Sequence, residues 1–214
     1  MRGRLVTLEG VEGVGKSSQL PVVKNFLTER GVQVLQTREP GGTELGEQLR
    51  DALLHTDQPI VPNAELLLMF AARAQLVEEV IQPALNKGIW VLSDRFVDAS
   101  FAYQGGGRRI GAGRVETIEQ WVLGDLKADL TLLLDASRET SLERTKKRRE
   151  LDRIETEGDE FFERVRQAYL DRASANTDRM KVIDANPDFT TVAASVCKQL
   201  DVSCGHWFGE PVNS

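Results

Sequence analysis

Short apolar runs alternate along the chain with longer stretches in which apolar residues recur every three or four positions. The short runs predict five strands, at residues 4–9, 32–37, 89–93, 130–134 and 181–184. The helical spacing predicts helices at residues 16–29, 44–54, 64–86, 114–123, 140–147, 160–176 and 190–200, with Pro83 expected to kink or shorten the third. Strands that alternate with helices indicate an α/β protein with a parallel sheet covered on both faces.

The chain shows no division into separate units. No repeat, low-complexity segment or long linker interrupts its 214 residues, so one domain is expected over residues 1–214. Its core is predicted to extend to about residue 200, and the tail at residues 203–214 has no clear pattern. Ligands of such folds bind beyond the carboxyl ends of the strands, so the informative residues should follow strands.

Composition narrows the functional class. Apolar residues make up 41% and charged residues 28%, a balance typical of a soluble folded protein. The net charge of −6 argues against a general nucleic-acid binder, which would usually be basic. No apolar run approaches the ~20 residues of a membrane helix, and no signal peptide is recognisable, so a cytoplasmic location without membrane association is expected. Cys197 and Cys204 do not form a recognisable metal arrangement and are interpreted as incidental thiols.

The segment GVEGVGKSS, at residues 10–18, follows the first strand and opens the first helix. It satisfies the phosphate-loop pattern G-x-x-x-x-G-K-[ST], in which backbone N–H groups and a helix N-terminus surround phosphates. Lys16 adds a positive charge, and Ser17 is suited to ligate the Mg²⁺ of ATP. Glu12 would repel a triphosphate, which suggests a second ligand opposite the ATP. The predicted ATP-binding residues of the loop are Gly10, Val11, Glu12, Gly13, Val14, Gly15, Lys16, Ser17 and Ser18.

Charged residues also follow the next two strands. Arg38 lies in TREPGG at the end of the second strand, and Asp94 and Arg95 lie in SDRF at the end of the third. Two arginines on adjacent loops form a fork for a phosphate dianion, since planar guanidinium groups bind it bidentately. Asp94 is placed to hold Mg²⁺ or its water. Surface salt bridges are the alternative reading of both arginines.

Basic residues are concentrated at residues 144–153. A solvated helix face is the ordinary explanation for such a run. Beside a phosphate loop, the alternative is a short arginine-rich lid, at about residues 144–157, that neutralises the transferred phosphoryl group and excludes water.

In this order the motifs resemble those of the bacterial thymidylate kinases. GVEGVGKSS, TREPGGT, FAARAQ (residues 70–75), SDRF, AYQGGG (residues 102–107) and ELDRIE (residues 150–155) cover residues 1 to about 200. The resemblance implies the P-loop nucleoside monophosphate kinase fold, a five-stranded parallel sheet flanked by helices. It also implies a homodimer that transfers the γ-phosphoryl group of Mg·ATP to dTMP.

The resemblance also suggests residue roles. Phe70 would stack on the thymine and Arg73 would hydrogen-bond its 4-carbonyl; a core Phe beside a surface Arg is the alternative. The remaining dTMP contacts would come from Ser100 and Gln104 to the base, Tyr103 and Glu12 to the sugar, and Arg38 and Arg95 to the phosphate. Relatives have a cis peptide bond at the position of Glu39–Pro40.

Family members differ in where they carry the catalytic arginine. The phosphate loop lacks one here, which favours the lid: Arg153 as the catalytic residue beside Lys16 and Arg95, with Arg148 and Arg149 as helpers and Arg144 against the adenine. Asp94 is preferred over Glu9 as the magnesium carboxylate. The expected reaction is an in-line transfer without a covalent intermediate or general base. A kinase for another acceptor, such as dCMP, AMP or shikimate, and a non-catalytic nucleotide switch remain as alternatives.

Overall fold

The structure, a computed structural model, describes residues 2–145 and 152–208. All five predicted strands form, within two residues of the expected bounds. They are Leu5–Glu9 (β1), Val34–Arg38 (β2), Trp90–Asp94 (β3), Leu130–Asp135 (β4) and Met180–Asp184 (β5). Every pairing is parallel and the order is β2-β3-β1-β4-β5, so β1 is central. Arg38 lies opposite Asp94 in register, which brings the ends of β2 and β3 together.

Helices cover both faces of this sheet, because its three central strands are apolar on both sides and almost fully buried. In chain order they are Lys16–Thr28 (α1), Glu44–Leu54 (α2), Pro62–Leu76 (α3), Gln82–Asn86 (α4), Val97–Ser100 (α5), Ala112–Leu123 (α6), Arg138–Thr145 (α7), Asp159–Ala175 (α8) and Phe189–Cys204 (α9). The end of the helix predicted at residues 140–147 lies outside the described residues.

The helical stretch predicted at residues 64–86 forms, but it is not one uniform α-helix. A π-helical segment, Val77–Ile81, separates α3 from the short helix α4. Pro83 supplies the physical reason, because it has no N–H to donate and its ring crowds the carbonyl four residues earlier. The chain therefore widens one turn before the proline instead of only bending at it.

A second π-helical segment, Phe101–Gly107, follows α5 and was not predicted from the sequence. We call it the glycine-rich π segment. A Cβ atom at Gly106 would lie 2.5 Å from the Cβ of Ala168, and one at Gly107 would lie 2.6 Å from the ring of Phe161. Both neighbours belong to α8, so these glycines permit close packing between α8 and this segment.

Beyond the predicted core, α9 runs to Cys204 and ends in a 3₁₀ turn, Gly205–Trp207. The ring of Trp207 meets that of Trp90 edge-on at 5.6 Å, and the ring of Phe208 stacks on Trp90 at 5.6 Å. The described part of the tail is thereby packed against the start of β3.

Within residues 2–145 and 152–208, no helix is long and apolar enough to span a bilayer.

Candidate active site

A cavity of about 270 Å³ opens at the carboxyl edge of the sheet. Its walls come from the loops after β1, β2 and β3, from α2 and α3, and from the glycine-rich π segment. Asp152, Ile154 and Glu155, from the second half of the lid region, complete it. The sheet order explains this meeting point, because the three strands that carry the motifs are neighbours.

The phosphate loop forms one end of the cavity. Gly10, Gly13 and Gly15 have positive φ angles of 138°, 80° and 99°, and α1 begins immediately afterwards at Lys16. At Gly10 a Cβ would lie 2.4 Å from the carbonyl oxygen of Leu134, so only glycine fits. The side chains of the two valines, Val11 and Val14, are buried in the core. The two valine side chains thus leave the backbone of the loop free to face a ligand.

Lys16 is buried within this loop. Its Nζ donates to the carbonyl oxygens of Gly10, at 2.9 Å, and Val11, at 3.1 Å. Burial and then the charge of Arg95 lower the pKa of its ammonium group to about 8. An anionic ligand would favour the charged form and oppose this shift. Ser17 and Ser18 are both exposed, and Ser17 but not Ser18 lines the cavity beside it.

Glu12, Arg95 and Tyr103 form one hydrogen-bonded cluster on the cavity wall. Arg95 donates to the Oε1 of Glu12 at 2.7 Å, and the hydroxyl of Tyr103 donates to its Oε2 at 2.6 Å. Burial disfavours the charged form of Glu12, but Arg95, Lys16 and Tyr103 together hold the pKa of its carboxyl below the usual value. Glu12 is therefore an ionised acceptor between two groups expected to contact the acceptor nucleotide.

Arg95 adopts a backbone conformation that is unusual for a residue with a side chain, with φ 70°. The N–H of Arg95 donates to the carbonyl of Leu8 at 3.0 Å, and the carbonyl of Arg95 accepts from the hydroxyl of Ser93 at 2.6 Å. Strain of this kind persists only where surrounding contacts impose it, and it is most frequent at functional sites.

Asp94 and Glu9, the two candidate magnesium carboxylates, differ in their surroundings. Asp94 lines the cavity, and its Oδ1 is buried without a hydrogen-bond partner among the described residues. Glu9 is fully buried and accepts from the N–H of Phe96 at 2.7 Å and the hydroxyl of Tyr169 at 2.7 Å. Burial, with the nearby charge of Asp98, raises the pKa of the Glu9 carboxyl to about 8. Of the two carboxylates, Asp94 is therefore the one that has, among the described residues, an oxygen available at the cavity.

Arg38 reaches the cavity wall as expected, and Arg50 joins it there. Arg38 donates to Glu47 at 2.8 Å, while Arg50 donates to the carbonyl of Pro40 at 2.9 Å. The Glu39–Pro40 peptide is cis. Arg50 escaped sequence reasoning because α2 carries no motif, although its place shortly after TREPGG was a usable signal.

Arg73 lies in the cavity wall, but the side chain beside it there is Met69 and not the expected Phe70. Arg73 donates to Glu39 at 2.8 Å, to Ser100 at 3.0 Å and to the carbonyl of Phe96 at 3.2 Å. The side chain that shares the wall with it is Met69, four residues earlier and on the same helix face. Phe70 is 2% exposed, packs in the core and does not line the cavity. Its predicted stacking on a base stays a prediction, and sequence reasoning missed Met69.

Ser100 and Gln104 lie one turn apart on the cavity wall, as the motif predicted. Gln104 donates its Nε2 to the Oε1 of Glu65 at 2.9 Å. Glu65 was not identified from the sequence and gives no motif signal there. It is fully buried and also accepts from Arg153 at 2.6 Å.

The lid arginines are engaged away from the cavity. Besides Glu65, Arg153 contacts the carbonyl of Leu53 at 2.8 Å, and it is not among the cavity-lining residues. Arg144 donates to the carbonyls of Ala185 at 2.7 Å and Pro187 at 2.9 Å. The proposed helpers Arg148 and Arg149 lie outside the described residues.

Comparison with known proteins agrees with these features. A family model described as thymidylate kinase matches residues 8–196. The thymidylate kinase of Nitrosospira multiformis is 52% identical over 200 residues, which are 94% of this chain and 98% of that protein. The thymidylate kinase of Neisseria meningitidis serogroup B is 52% identical over 207 residues, 97% of this chain and 99% of the relative.

Among solved structures, the crystal structure of thymidylate kinase from Ehrlichia chaffeensis matches with a TM-score of 0.75 at 32% identity, covering 94% of this chain and 99% of the other. The resemblance and the fold class inferred from the motifs are thus confirmed. The chain therefore belongs to the thymidylate kinase family, whose members transfer a phosphoryl group from ATP to dTMP in the synthesis of dTTP.

Proposed function

We propose that the cavity holds dTMP facing an ATP molecule on the phosphate loop, and that the γ-phosphoryl group passes directly between them. The observation that carries this proposal is that Lys16, Arg95 and Asp94 line the same cavity as the predicted base-binding residues Arg73 and Gln104. The acceptor phosphate is largely dianionic near neutral pH, so positioning and charge supply the catalysis without a general base.

The phosphate of dTMP is assigned to Arg38 and Arg95, with Arg50 added to the predicted pair. All three line one end of the cavity. Mutual repulsion supports an anion there: burial and then the charge of Arg38 lower the pKa of the Arg50 guanidinium. Neighbouring cations of this kind are stabilised when a dianion binds between them.

The base is assigned to Arg73, Ser100 and Gln104, which line the same cavity, with Arg73 donating to Ser100 at 3.0 Å. Met69 supplies an apolar surface beside Arg73, and a thioether packs well against an aromatic ring. The contribution of Phe70 would be indirect, since its ring lies 4.6 Å from the Arg73 guanidinium carbon. Glu12 is assigned to the 3′-hydroxyl and Tyr103 to the face of the sugar, because the two share a hydrogen bond at the cavity wall.

ATP is assigned to the phosphate loop, with Lys16 on the transferred group and Arg144 near the adenine. The residues present fit a magnesium ion, because Asp94 presents an unpartnered carboxylate oxygen and Ser17 lies on the same cavity. No cluster of three or more His, Cys, Asp or Glu side chains suited to a metal occurs in the described part of the chain. One carboxylate, a hydroxyl and substrate phosphates are a usual Mg²⁺ environment. When bound, the ion neutralises phosphate charge.

Arg153 is assigned to the transition state of the transfer. Glu65 pairs with its guanidinium at 2.6 Å, so the assignment requires the lid to exchange this contact for the phosphoryl group. Lids of this kind commonly close on bound substrate.

We also propose a homodimer in the cytoplasm. Leu45, Leu67 and Trp121 are exposed large apolar residues on α2, α3 and α6. The three helices pack side by side, with α3 in contact with both of the others. Exposed apolar groups on adjoining elements support a subunit interface there.

The test is an assay of ADP release with dTMP, dUMP, dCMP, AMP and GMP in parallel. We expect dTMP to be preferred and Arg95→Gln to lower its kcat/KM by about 100-fold or more. Arg30→Gln is the matched control, because Arg30 lies outside the cavity, where it pairs with Asp201 and packs on the ring of Phe26. Preference for another monophosphate, or full activity of Arg95→Gln, would refute the assignment.

A further inference from the structure

Glu65 is a buried carboxylate at the junction of α3, the glycine-rich π segment and the lid. Its Oε1 accepts from Gln104 at 2.9 Å, and its Oε2 accepts from Arg153 at 2.6 Å. Arg108 contacts both oxygens at 3.2 Å. Burial disfavours the charged form, but the hydrogen bonds from Gln104, Arg153 and Arg108 together hold the pKa of the Glu65 carboxyl below its usual value. At neutral pH Glu65 is therefore an acceptor only.

This charge state fixes the amide of Gln104. An ionised carboxylate has no proton to give, so only the NH₂ group of the amide can face it. The carbonyl Oε1 of Gln104 is then left for the cavity that this residue lines, and no described residue donates to it. Glu65 thus determines which of the two ends of the amide is presented to a ligand.

The carbonyl oxygen that Gln104 presents to the cavity is complementary to the N3 edge of thymine. Thymine in a nucleotide has a single N–H group, at N3, between two carbonyl acceptors. A carbonyl oxygen in the base pocket therefore pairs with thymine N3–H. Cytosine instead presents an unprotonated, accepting N3, so two acceptors would face each other at the cost of an unmade hydrogen bond.

We propose that Glu65 is a positioning residue for base selection, which orients the Gln104 amide so that its carbonyl accepts from N3–H and rejects cytosine. The proposal rests on the assignment of Gln104 to the base. Glu65 does not touch the substrate; it acts through Gln104. Its contacts with Arg108 and Arg153 keep it ionised and fixed in place.

Replacing Glu65 by Gln should reverse the Gln104 amide. Arg108 and Arg153 both require an acceptor, so the one carbonyl oxygen of the introduced amide would turn to them. Its NH₂ group would then face Gln104, whose Oε1 must turn to receive it, and the NH₂ of Gln104 would enter the cavity. A donor there suits cytosine N3 and opposes thymine N3–H.

The experiment compares kcat/KM for dTMP with kcat/KM for dCMP in purified wild type and variants, with melting temperatures as a check on folding. We expect Glu65→Gln to reduce the dTMP/dCMP ratio by about 10- to 100-fold, with dTMP declining and dCMP improving. Arg73 still opposes the cytosine amino group, so dTMP remains the better substrate. A general structural defect would lower both values and leave the ratio unchanged.

Arg108→Gln is the matched control, because it removes a partner of Glu65 but keeps the carboxylate that faces Gln104. Its ratio should equal that of wild type. If Glu65→Gln alone does not fold, Glu65→Gln with Arg108→Gln restores the local charge balance and should show the same reduced ratio. The proposal would be overturned if the dTMP/dCMP ratio were unchanged in Glu65→Gln or, where that variant does not fold, in the double variant.

Gln104→Leu separates this inference from the assignment beneath it. We expect that variant to lose dTMP activity and to abolish any further effect of Glu65→Gln on the ratio, as a coupled pair requires. Normal dTMP kinetics in Gln104→Leu would remove Gln104 from the base site. A defective Gln104→Leu beside a wild-type ratio in Glu65→Gln would overturn only the role of Glu65.

Discussion

Glu9 and Asp94 end neighbouring strands of the sheet, yet their carboxylates differ in how many hydrogen bonds they accept. Glu9 has two donors and full burial, and Asp94 has an oxygen without a described partner. Environment, and not residue type, therefore decides which carboxylate is available to a cation. Both carboxylates were magnesium-ligand candidates from the sequence, and only their contacts in the folded protein distinguish them.

Glu9 should make stability depend on pH. Its folded-state pKa of about 8 lies above the ordinary 4.5, so the folded state binds the extra proton between these values. The free energy of unfolding should then fall as pH rises from about 5 to 8, by at most about 1.4 kcal/mol per pH unit from this group. Glu9→Gln, a neutral substitute, should gain stability relative to wild type over that range in urea unfolding. A constant difference between pH 5.5 and pH 8 would contradict this.

Met69 and Phe70 should respond differently to truncation. Met69 lines the cavity, so Met69→Ala should raise KM for dTMP about tenfold with a small effect on melting temperature. Phe70 is a core residue, and Phe70→Ala should lower the free energy of unfolding by about 3–5 kcal/mol. Steady-state kinetics and denaturant unfolding of both variants check this. The reverse pattern would place Phe70, and not Met69, against the base.

Among the elements, the glycine-rich π segment connects the base pocket to α8. A side chain at Gly107 would lie 2.6 Å from Phe161 and 2.7 Å from Val165, both in the core. The sequence showed AYQGGG as a motif, but local propensity cannot indicate which distant helix requires the glycines. The same limit hid the widened turn at residues 77–81, since only the position of Pro83 was visible.

Gly107→Ala should therefore destabilise the fold by about 1–3 kcal/mol, because neither the ring nor the helix can move away without loosening the core. Gly113→Ala is the control: a Cβ there meets nothing within 4 Å and Gly113 lies within α6. That variant should be neutral or gain up to about 1 kcal/mol. Melting curves of the two variants measure this difference. Equal stability would show that the packing of α8 does not require a glycine at position 107.

In the part of the lid that the structure describes, an ion pair between Arg153 and Glu65 joins it to α3. If Arg153 leaves this pair to stabilise the transition state, Arg153→Ala should lower kcat by about 10³-fold or more, the range of such arginines, with much smaller effects on dTMP binding. Turnover and equilibrium dTMP titration separate the two quantities. A near-normal kcat would assign the role to another lid residue.

For the whole molecule, the alternation of strands and helices predicted the fold class, and the loops after three strands predicted most of the cavity wall. Contacts between residues far apart in the sequence could not be predicted from either pattern. Glu65 meets Arg153, 88 positions away, and Trp90 meets Trp207; neither pair has a sequence pattern, because side-chain packing and not local spacing brings them together. Arg50 and Met69 entered the site for the same reason.

Association should depend on the exposed apolar residues of α2, α3 and α6. Trp121→Glu places a charge within the proposed interface and should raise the dimer dissociation constant at least about tenfold, measured by analytical ultracentrifugation. Val202→Glu, on α9, is the control at another exposed apolar position and should leave association unchanged. If Trp121→Glu associates as wild type does, the interface lies elsewhere.

The placement of the three tryptophans gives the enzyme a built-in optical probe. Trp90 is buried, stacked on Phe208 and met edge-on by Trp207, whereas Trp121 is 84% exposed. Indole emission shifts to longer wavelength in water, so the aromatic group and the surface indole should contribute separable bands. Acrylamide quenching of the long-wavelength band then follows subunit contact, and the short-wavelength band follows melting, with no dye attached.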